Sequence, residues 1–420
     1  MEKNGAKRLA VCRPKPLHRF LSREAKPFPP GKTDRTALFI CTQHWFSSLQ
    51  VGMHHISRSF SKAGWRVGFL SAPIGVPHLL GAGGDASERC ASSRMGGSRD
   101  PDSAVWHFVP FAPLPWGVSP IFARRSYVAL AWLSARPGIR RALRGAGLLQ
   151  PDFACADHFL HEGLLKAADP RISAFRRADN AAGFPGALSD FSQREADFAR
   201  RSDLTIVTNC NSAQELAEKG VPHTLLVENG LLLDRFRTQR PSPTEYASDG
   251  RPVIVFVGAA DARLDHGAIL RAVSARSHYL WTFIGPFEGE FARRLQGAGA
   301  LLPGPIPHDR LAGYLQHARV GIVPFSQTNA TNLIRQVSSL KVFEYAASGL
   351  PIVGTRGCLY PNDLPVPLAI CDSEQQFIDA IDRFVVAGRP APPSIDAFDR
   401  YDWPQRLRPL FDWLGPRLDG

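Results

Sequence analysis

The sequence predicts an α/β protein made of two doubly wound halves that face a shared cleft. Three observations carry that prediction. Short apolar runs rich in β-formers alternate with segments of helical spacing along most of the chain. The alternation lapses in a polar, proline-containing stretch at 241–250 and then starts again. The composition is ordinary for a globular chain, with 44% hydrophobic and 21% charged side chains over 420 residues, enough for about two or three domains.

Residues 1–35 are basic, contain prolines and show no pattern, so they read as a flexible tail, either solvated or drawn to anionic lipid. The run 37–42 (ALFICT) is a buried-strand pattern. Gly52–Lys62 places His55, Ile56, Ser59 and Phe60 at helical spacing, and Gly64 ends it. With a strand at 66–70 this makes a β-α-β start, whose natural crossover is parallel. The Gly/Ser-rich segment 77–103 reads as a loop or insertion. A strand follows at 105–109, then a proline-rich loop at 110–120. The segments 121–135 and 139–149 read as a helix pair broken at Pro137. They mix Phe122, Tyr127, Leu130, Trp132 and Leu133 with Arg124, Arg125, Arg136, Arg140, Arg141 and Arg144. Such a face suits either a core helix with a solvated basic edge or a membrane interface.

Further strands are expected at 152–156, 174–176, 204–208 and 225–227, the last leading into the turn Glu228-Asn229-Gly230. The second series has strands at Val253–Val257, 279–284, 301–302, Val320–Val323, 351–353 and 368–370. Helices fit between them at 267–274, 291–296, 310–317, 339–348 and 374–386. In folds of this kind ligands bind beyond the carboxyl ends of the strands.

The charge is uneven. The net charge is +12, yet residues 1–150 hold 22 basic and 7 acidic side chains. A basic first third suits an anionic membrane or substrate. Nucleic acid is the rival partner, but the chain has no zinc-finger spacing, no RNP-type motif and no basic-zipper heptads, so none is expected. Seven scattered cysteines, with no C-x-x-C, argue for a reducing compartment and against a disulfide scaffold or structural zinc. No run approaches the ~18–20 apolar residues of a membrane span, and no secretory signal follows the basic N-terminus.

The sharpest local feature is 337–353 (VSSLKVFEYAASGLPIV). Ser338 or Ser339 can cap a helix whose apolar face is Leu340, Phe343 and Ala347, and Gly349 stops it before the next strand. A helix start presents free N–H groups and positive dipole charge, which suit a phosphate. Lys341 in the first turn is unfavourable there on its own and makes sense beside an anion. Glu344, one turn on, can bind vicinal hydroxyls such as a ribose. The alternative is a solvated i,i+3 Lys–Glu pair.

The stretch 338–353 resembles the nucleotide-sugar segment of GT-B glycosyltransferases. Val253–Val257 with Gly258 resembles the glycine turn that opens their C-terminal domain, and Val227-Glu228-Asn229-Gly230 their domain junction. The run 317–325 (HARVGIVPF) resembles the strand before their donor helix. The resemblance implies the GT-B fold, two Rossmann-like domains around a central cleft. An N-terminal acceptor domain would span 36–230 and a donor domain 231–400. A last helix at 401–420 would cross back to the first domain.

A closer resemblance is to the GumK-type β-glucuronosyltransferases of glycosyltransferase family 70, membrane-associated enzymes of bacterial exopolysaccharide synthesis. It rests on 175–180 (FRRADN), 317–325 and 338–341 (SSLK), with His44 and Arg124-Arg125 on the acceptor or membrane side. It implies inverting transfer of glucuronate from UDP-glucuronate to a polyprenyl-diphosphate-linked oligosaccharide, at the cytoplasmic face of the plasma membrane. No metal or other cofactor is implied, and no D-x-D reads as a metal motif. Asp179 matches the catalytic base, which would take the acceptor hydroxyl's proton. Arg176 and Arg177 beside it would hold it ionised. The bland alternative is a loop or capping Asp.

Ser339, Leu340 and Lys341 match diphosphate-binding positions, Gly258 and Ala259 the glycine turn, and Phe325 an aromatic near the nucleotide. Pro305 and Ile306 match a loop over the base. Two departures matter. Gln336 stands where retaining GT-B enzymes carry a second Glu, which supports inversion. Asp261 and Arg263 lie in a lengthened turn, where Asp261 would repel a uronate and Arg263 attract one, so a glucosyl or mannosyl donor stays open. A non-catalytic sugar-nucleotide-binding partner of a polysaccharide assembly is the other reading.

Overall fold

The computed structural model describes residues 34–47, 50–76, 86–114, 124–183, 187–261, 263–326, 339–356, 358–391 and 393–419. The expected tail lies almost wholly outside them, as do Gln336 and Ser338.

The first sheet has eight strands: β1 Thr36–Cys41, β2 Arg66–Ser71, β3 Ser98–Arg99, β4 Trp106–Phe108, β5 Phe153–Ala156, β6 Ile172–Arg177, β7 Leu204–Val207 and β8 Thr224–Leu226. Their order is β3-β4-β2-β1-β5-β6-β7-β8. Every neighbouring pair is parallel except β3 with β4. The central strands are apolar on both faces because helices cover both, which is why they read as continuous runs. The order reverses between β1 and β5, and that is where a crevice opens.

The second sheet has β9 Val253–Val257, β10 Leu280–Ile284, β11 Leu301–Gly304, β12 Val320–Val323, β13 Ile352–Thr355 and β14 Leu368–Cys371. Its order is β11-β10-β9-β12-β13-β14, all parallel, with its reversal between β9 and β12.

The chain passes between the halves twice, side by side. Leu231 N–H donates to Tyr401 O at 2.8 Å, and Trp403 N–H donates to Leu231 O at 3.1 Å. The helix Trp403–Asp419 then lies on the first half. Its buried Trp403, Leu407, Leu410, Leu414 and Leu418 join the cluster of Phe39, Phe60 and Phe153. The spacing of these leucines is one helical stripe. Pro404 sits in the first turn, where its missing N–H costs nothing. Trp403 stacks on His55, and Phe411 meets Phe60 with ring centroids 4.5 Å apart.

The segment 77–103 is not simply a loop. It holds the helix Ala86–Arg94 and the edge strand β3. That helix is polar, so no apolar stripe betrays it. Arg89 anchors it by donating to Ala72 O at 2.7 Å. The helix expected at 121–135 is described as Arg125–Leu133. It buries Val128, Ala131 and Trp132, and leaves Leu130 and Leu133 exposed beside Arg124 and Arg125. No helix among the described residues is long and apolar enough to cross a membrane.

Candidate active site

A cavity of about 620 Å³ lies between the two sheets. Its walls are the residues just past the strand ends. From the first half come Thr42 after β1, Asp157 and His158 after β5, and Ala178 and Asp179 after β6. From the second come Gly258 after β9, Gly285 after β10, Pro305 and Ile306 after β11, and Phe325 after β12. Ala259, Ser339, Leu340, Lys341 and Glu344 also line it.

The second-half wall is built around the helix Leu340–Ala347. Its Tyr345 is fully buried and fixes the helix to the sheet. Val257 N–H donates to Tyr345 Oη at 2.9 Å. Ser339 occupies the N-cap position, but its side chain makes no capping bond. Lys341 Nζ stands 4.6 Å from the centre of the Phe256 ring and 4.9 Å from that of Phe325. Ring faces attract a cation. Burial, with Arg263 nearby, still pushes the ammonium down to about 8, against Cys358, Asp261 and Glu344. A buried cation at a helix start is set to receive an anion.

The floor is a glycine contact. Gly258 and Gly285 both have positive φ, +147° and +138°. A Cβ on Gly285 would lie 2.1 Å from Gly258 O, so no side chain fits there. The turn after β9 folds back on Phe325. Leu264 bridges to it, and Ser326 N–H donates to Arg263 O at 2.7 Å. Within this turn Arg263 and Asp261 pair with each other, through Nε at 3.0 Å and Nη2 at 2.5 Å. The two charges expected to act on a uronate in opposite senses therefore offset one another.

In the first-half wall, Asp179 is exposed to the cleft. Its loop is held from both sides. Thr208 Oγ1 donates to Ala178 O at 3.1 Å, and Asn180 Oδ1 accepts from Ala182 N–H at 3.2 Å. Arg176 lines the cavity and is buried, with Asp179 and Asp157 in its electrostatic surroundings. Arg177 does not serve Asp179. It points into the core, where Nε donates to Glu195 at 2.8 Å and Nη2 to Glu215 at 2.9 Å. Alternate residues of a strand face opposite sides, so Arg176 and Arg177 could not share one role.

Sequence reasoning missed Asp157, His158 and Glu195. Burial opposes the Asp157 charge, but His161, the Thr42 N–H and the Cys41 thiol outweigh it and bring the carboxyl down to about 2. Thr42 N–H donates to it at 2.9 Å, and His161 Nδ1 lies 3.1 Å away. The signal was available. Asp157 directly follows a buried strand, as Asp179 follows another by two residues.

Three other expected residues stand apart from the cavity lining. His44 is buried, its carbonyl accepting from His54 Nε2 at 2.9 Å, and its own Nε2 lies 3.6 Å from Glu88 on the helix Ala86–Arg94. Arg124 precedes the helix Arg125–Leu133, and Arg125 donates to Glu162 at 3.1 Å on the surface.

No family model matches the chain. Among solved structures, the chain is similar to HepE of Anabaena in complex with UDP and glucose. The TM-score is 0.62 at 13% identity, over 91% of this chain and 100% of that one. It is also similar to sucrose-phosphate synthase of Thermosynechococcus elongatus, with TM-score 0.57 at 13% identity, over 92% and 98%. The chain has the GT-B fold. A curated relative is TuaH of Bacillus subtilis (strain 168), named as a glycosyltransferase of teichuronic acid biosynthesis. It is 28% identical over 135 residues, which is 31% of this chain. The match spans about a third of TuaH, 33% of its length.

Proposed function

We propose that the protein is a glycosyltransferase that moves a sugar from a UDP-sugar onto a lipid-linked oligosaccharide in bacterial polysaccharide synthesis. The observation that carries this is the cavity itself. It has Asp179 on one wall and, on the other, Lys341 at a helix start with Glu344 one turn on. UDP and glucose in the HepE complex and the biosynthetic role in TuaH's name support it.

In this reading Lys341 and the start of its helix hold the diphosphate, and Glu344 receives the ribose hydroxyls. Asp179 removes the acceptor hydroxyl's proton as that oxygen attacks the anomeric carbon opposite the leaving UDP, which inverts the configuration. Lys341 and the helix dipole stabilise the developing charge on UDP, so the reaction needs no metal. The acceptor lipid lies in a membrane met by Arg124, Arg125, Leu130 and Leu133, and the enzyme works from the cytoplasmic face.

Glucuronate is the donor sugar that the GumK-type resemblance implies. The Asp261–Arg263 pair favours a second reading, a neutral hexose, because it leaves Arg263 little charge to offer a carboxylate. Label transfer in EDTA from UDP-glucuronate, UDP-glucose and GDP-mannose into a lipid extract tests these readings together. Asp179→Asn should abolish transfer and leave UDP binding intact. Unchanged transfer in that variant sinks the assignment of Asp179 as base.

A further inference from the structure

The cavity holds a carboxylate that the reaction as proposed does not use. Glu195 lies on the helix Phe191–Arg201 and lines the cavity with a side chain only 3% exposed. Its Oε2 accepts from Arg177 Nε at 2.8 Å, while Oε1 has no partner among the described residues. Arg177 stands behind it and does not line the cavity. Phe191, four residues earlier and so on the same helix face, lines the cavity beside it. Phe191 is set edge-on to Phe159, with centroids 5.0 Å apart.

His158 completes the group. Its Nδ1 accepts from Leu160 N–H at 3.1 Å, which assigns the ring proton to Nε2. Burial, helped by His161, pushes the ring down to about 4, so it is a neutral donor. A neutral N–H donor, a carboxylate acceptor and an aromatic ring match what a sugar ring offers: hydroxyls that donate and accept, and an apolar C–H face. The group lies on the same half as Asp179, opposite Lys341.

We infer that Glu195 and His158 are the hydroxyl-binding groups of the acceptor subsite, and that the acceptor presents a neutral sugar there. This rests on the glycosyltransferase reading above. The neutrality follows from the wall's charges. Asp157, Asp179 and Glu195 all line it, against one lining cation among the described residues, Arg176. A uronate or phosphorylated acceptor sugar would meet like charges there. Glu195 is pushed up to about 7 by burial against the pull of Arg177, so it is ionised at mildly alkaline pH.

The test is equilibrium binding of octyl β-glucoside and octyl β-glucuronide to the full chain at about pH 8, with and without saturating UDP. Wild type should bind the glucoside about tenfold more tightly than the glucuronide. Glu195→Gln keeps an oxygen for Arg177 and should weaken the glucoside about tenfold, with the UDP Kd unchanged. Glu215→Gln disturbs the same arginine from outside the cavity and should leave both glycosides within about twofold. Should Glu195→Gln not fold, Glu195→Asp withdraws the charge from the cavity by one methylene and carries the same expectation. Four outcomes overturn the inference: no glucoside binding by wild type, equal binding of the glucuronide, no effect at Glu195, or an equal loss from Glu215→Gln. Failure of UDP to bind would instead overturn the donor reading, in a separate titration.

Discussion

Arg176 donates from Nη2 to Asn229 Oδ1 at 2.7 Å, and both residues are buried. That bond ties the strand leading to Asp179 to the strip where the chain leaves the first half. Next to Asn229, Gly230 sits against Trp403, and Glu228 is ion-paired with Arg406 on the returning helix. The site wall and the junction are therefore one bonded unit.

Replacing Asn229 by Ala leaves Arg176 buried without its acceptor. The loss should be about 1.5–3 kcal/mol of stability, the range for a hydrogen bond to a charged group. Urea denaturation measures it. Transfer should fall further than UDP affinity, because the proposed UDP site is on the other wall. An unchanged urea midpoint would mean the bond contributes nothing.

If Lys341 receives the diphosphate as proposed, it sets a pH dependence for UDP binding. Its ammonium is pushed down to about 8 in the free protein, and a bound diphosphate favours the charged form. UDP affinity should fall above about pH 8, by up to about tenfold per pH unit. Lys341→Met should weaken UDP by about 10–100-fold and flatten the profile. Calorimetric titration across pH checks both.

Gly285 has no room for a methyl group, since a Cβ there would meet Gly258 O at 2.1 Å. Gly285→Ala should cost about 2 kcal/mol or more and loosen UDP, because the turn at Gly258 must move. Gly297→Ala is the control. A Cβ there meets nothing within 4 Å, and the position ends a helix, so stability should hold or rise slightly. Paired urea curves give the contrast.

Asp157 contributes stability only while ionised. Its folded value of about 2 lies below the unfolded value of about 4. Its contribution is therefore complete above about pH 4 and disappears as pH falls through about 2. Asp157→Asn should be less stable than wild type by about 2 kcal/mol at neutral pH. The gap should close in acid. Thermal melts of both proteins from pH 7 downward would show it.

Much of the fold was legible because parallel strands buried on both faces leave a plain mark. The strands at β1, β5, β9 and β12 are unbroken apolar runs. The helix carrying Lys341 was legible through its stripe and its glycine stop. The helix Ala86–Arg94 was not, since it is held by an arginine–carbonyl bond and little apolar surface. On the site's first-half wall, sequence pointed to Asp179 but could not separate Arg176 from Arg177. Only the strand's alternation sends one to the cavity and the other to Glu195 and Glu215. Asp157 and Glu195 were hidden because neighbours distant in sequence, Thr42 and Arg177, define their chemistry.

The returning helix also fixes when the first half can mature. Trp403, Leu407, Leu410 and Leu414 complete a core whose other members, such as Phe39 and Phe60, are synthesised first. A chain halted before Trp403 therefore carries an open apolar seam on its first half, and that seam closes only once the helix Trp403–Asp419 has been made.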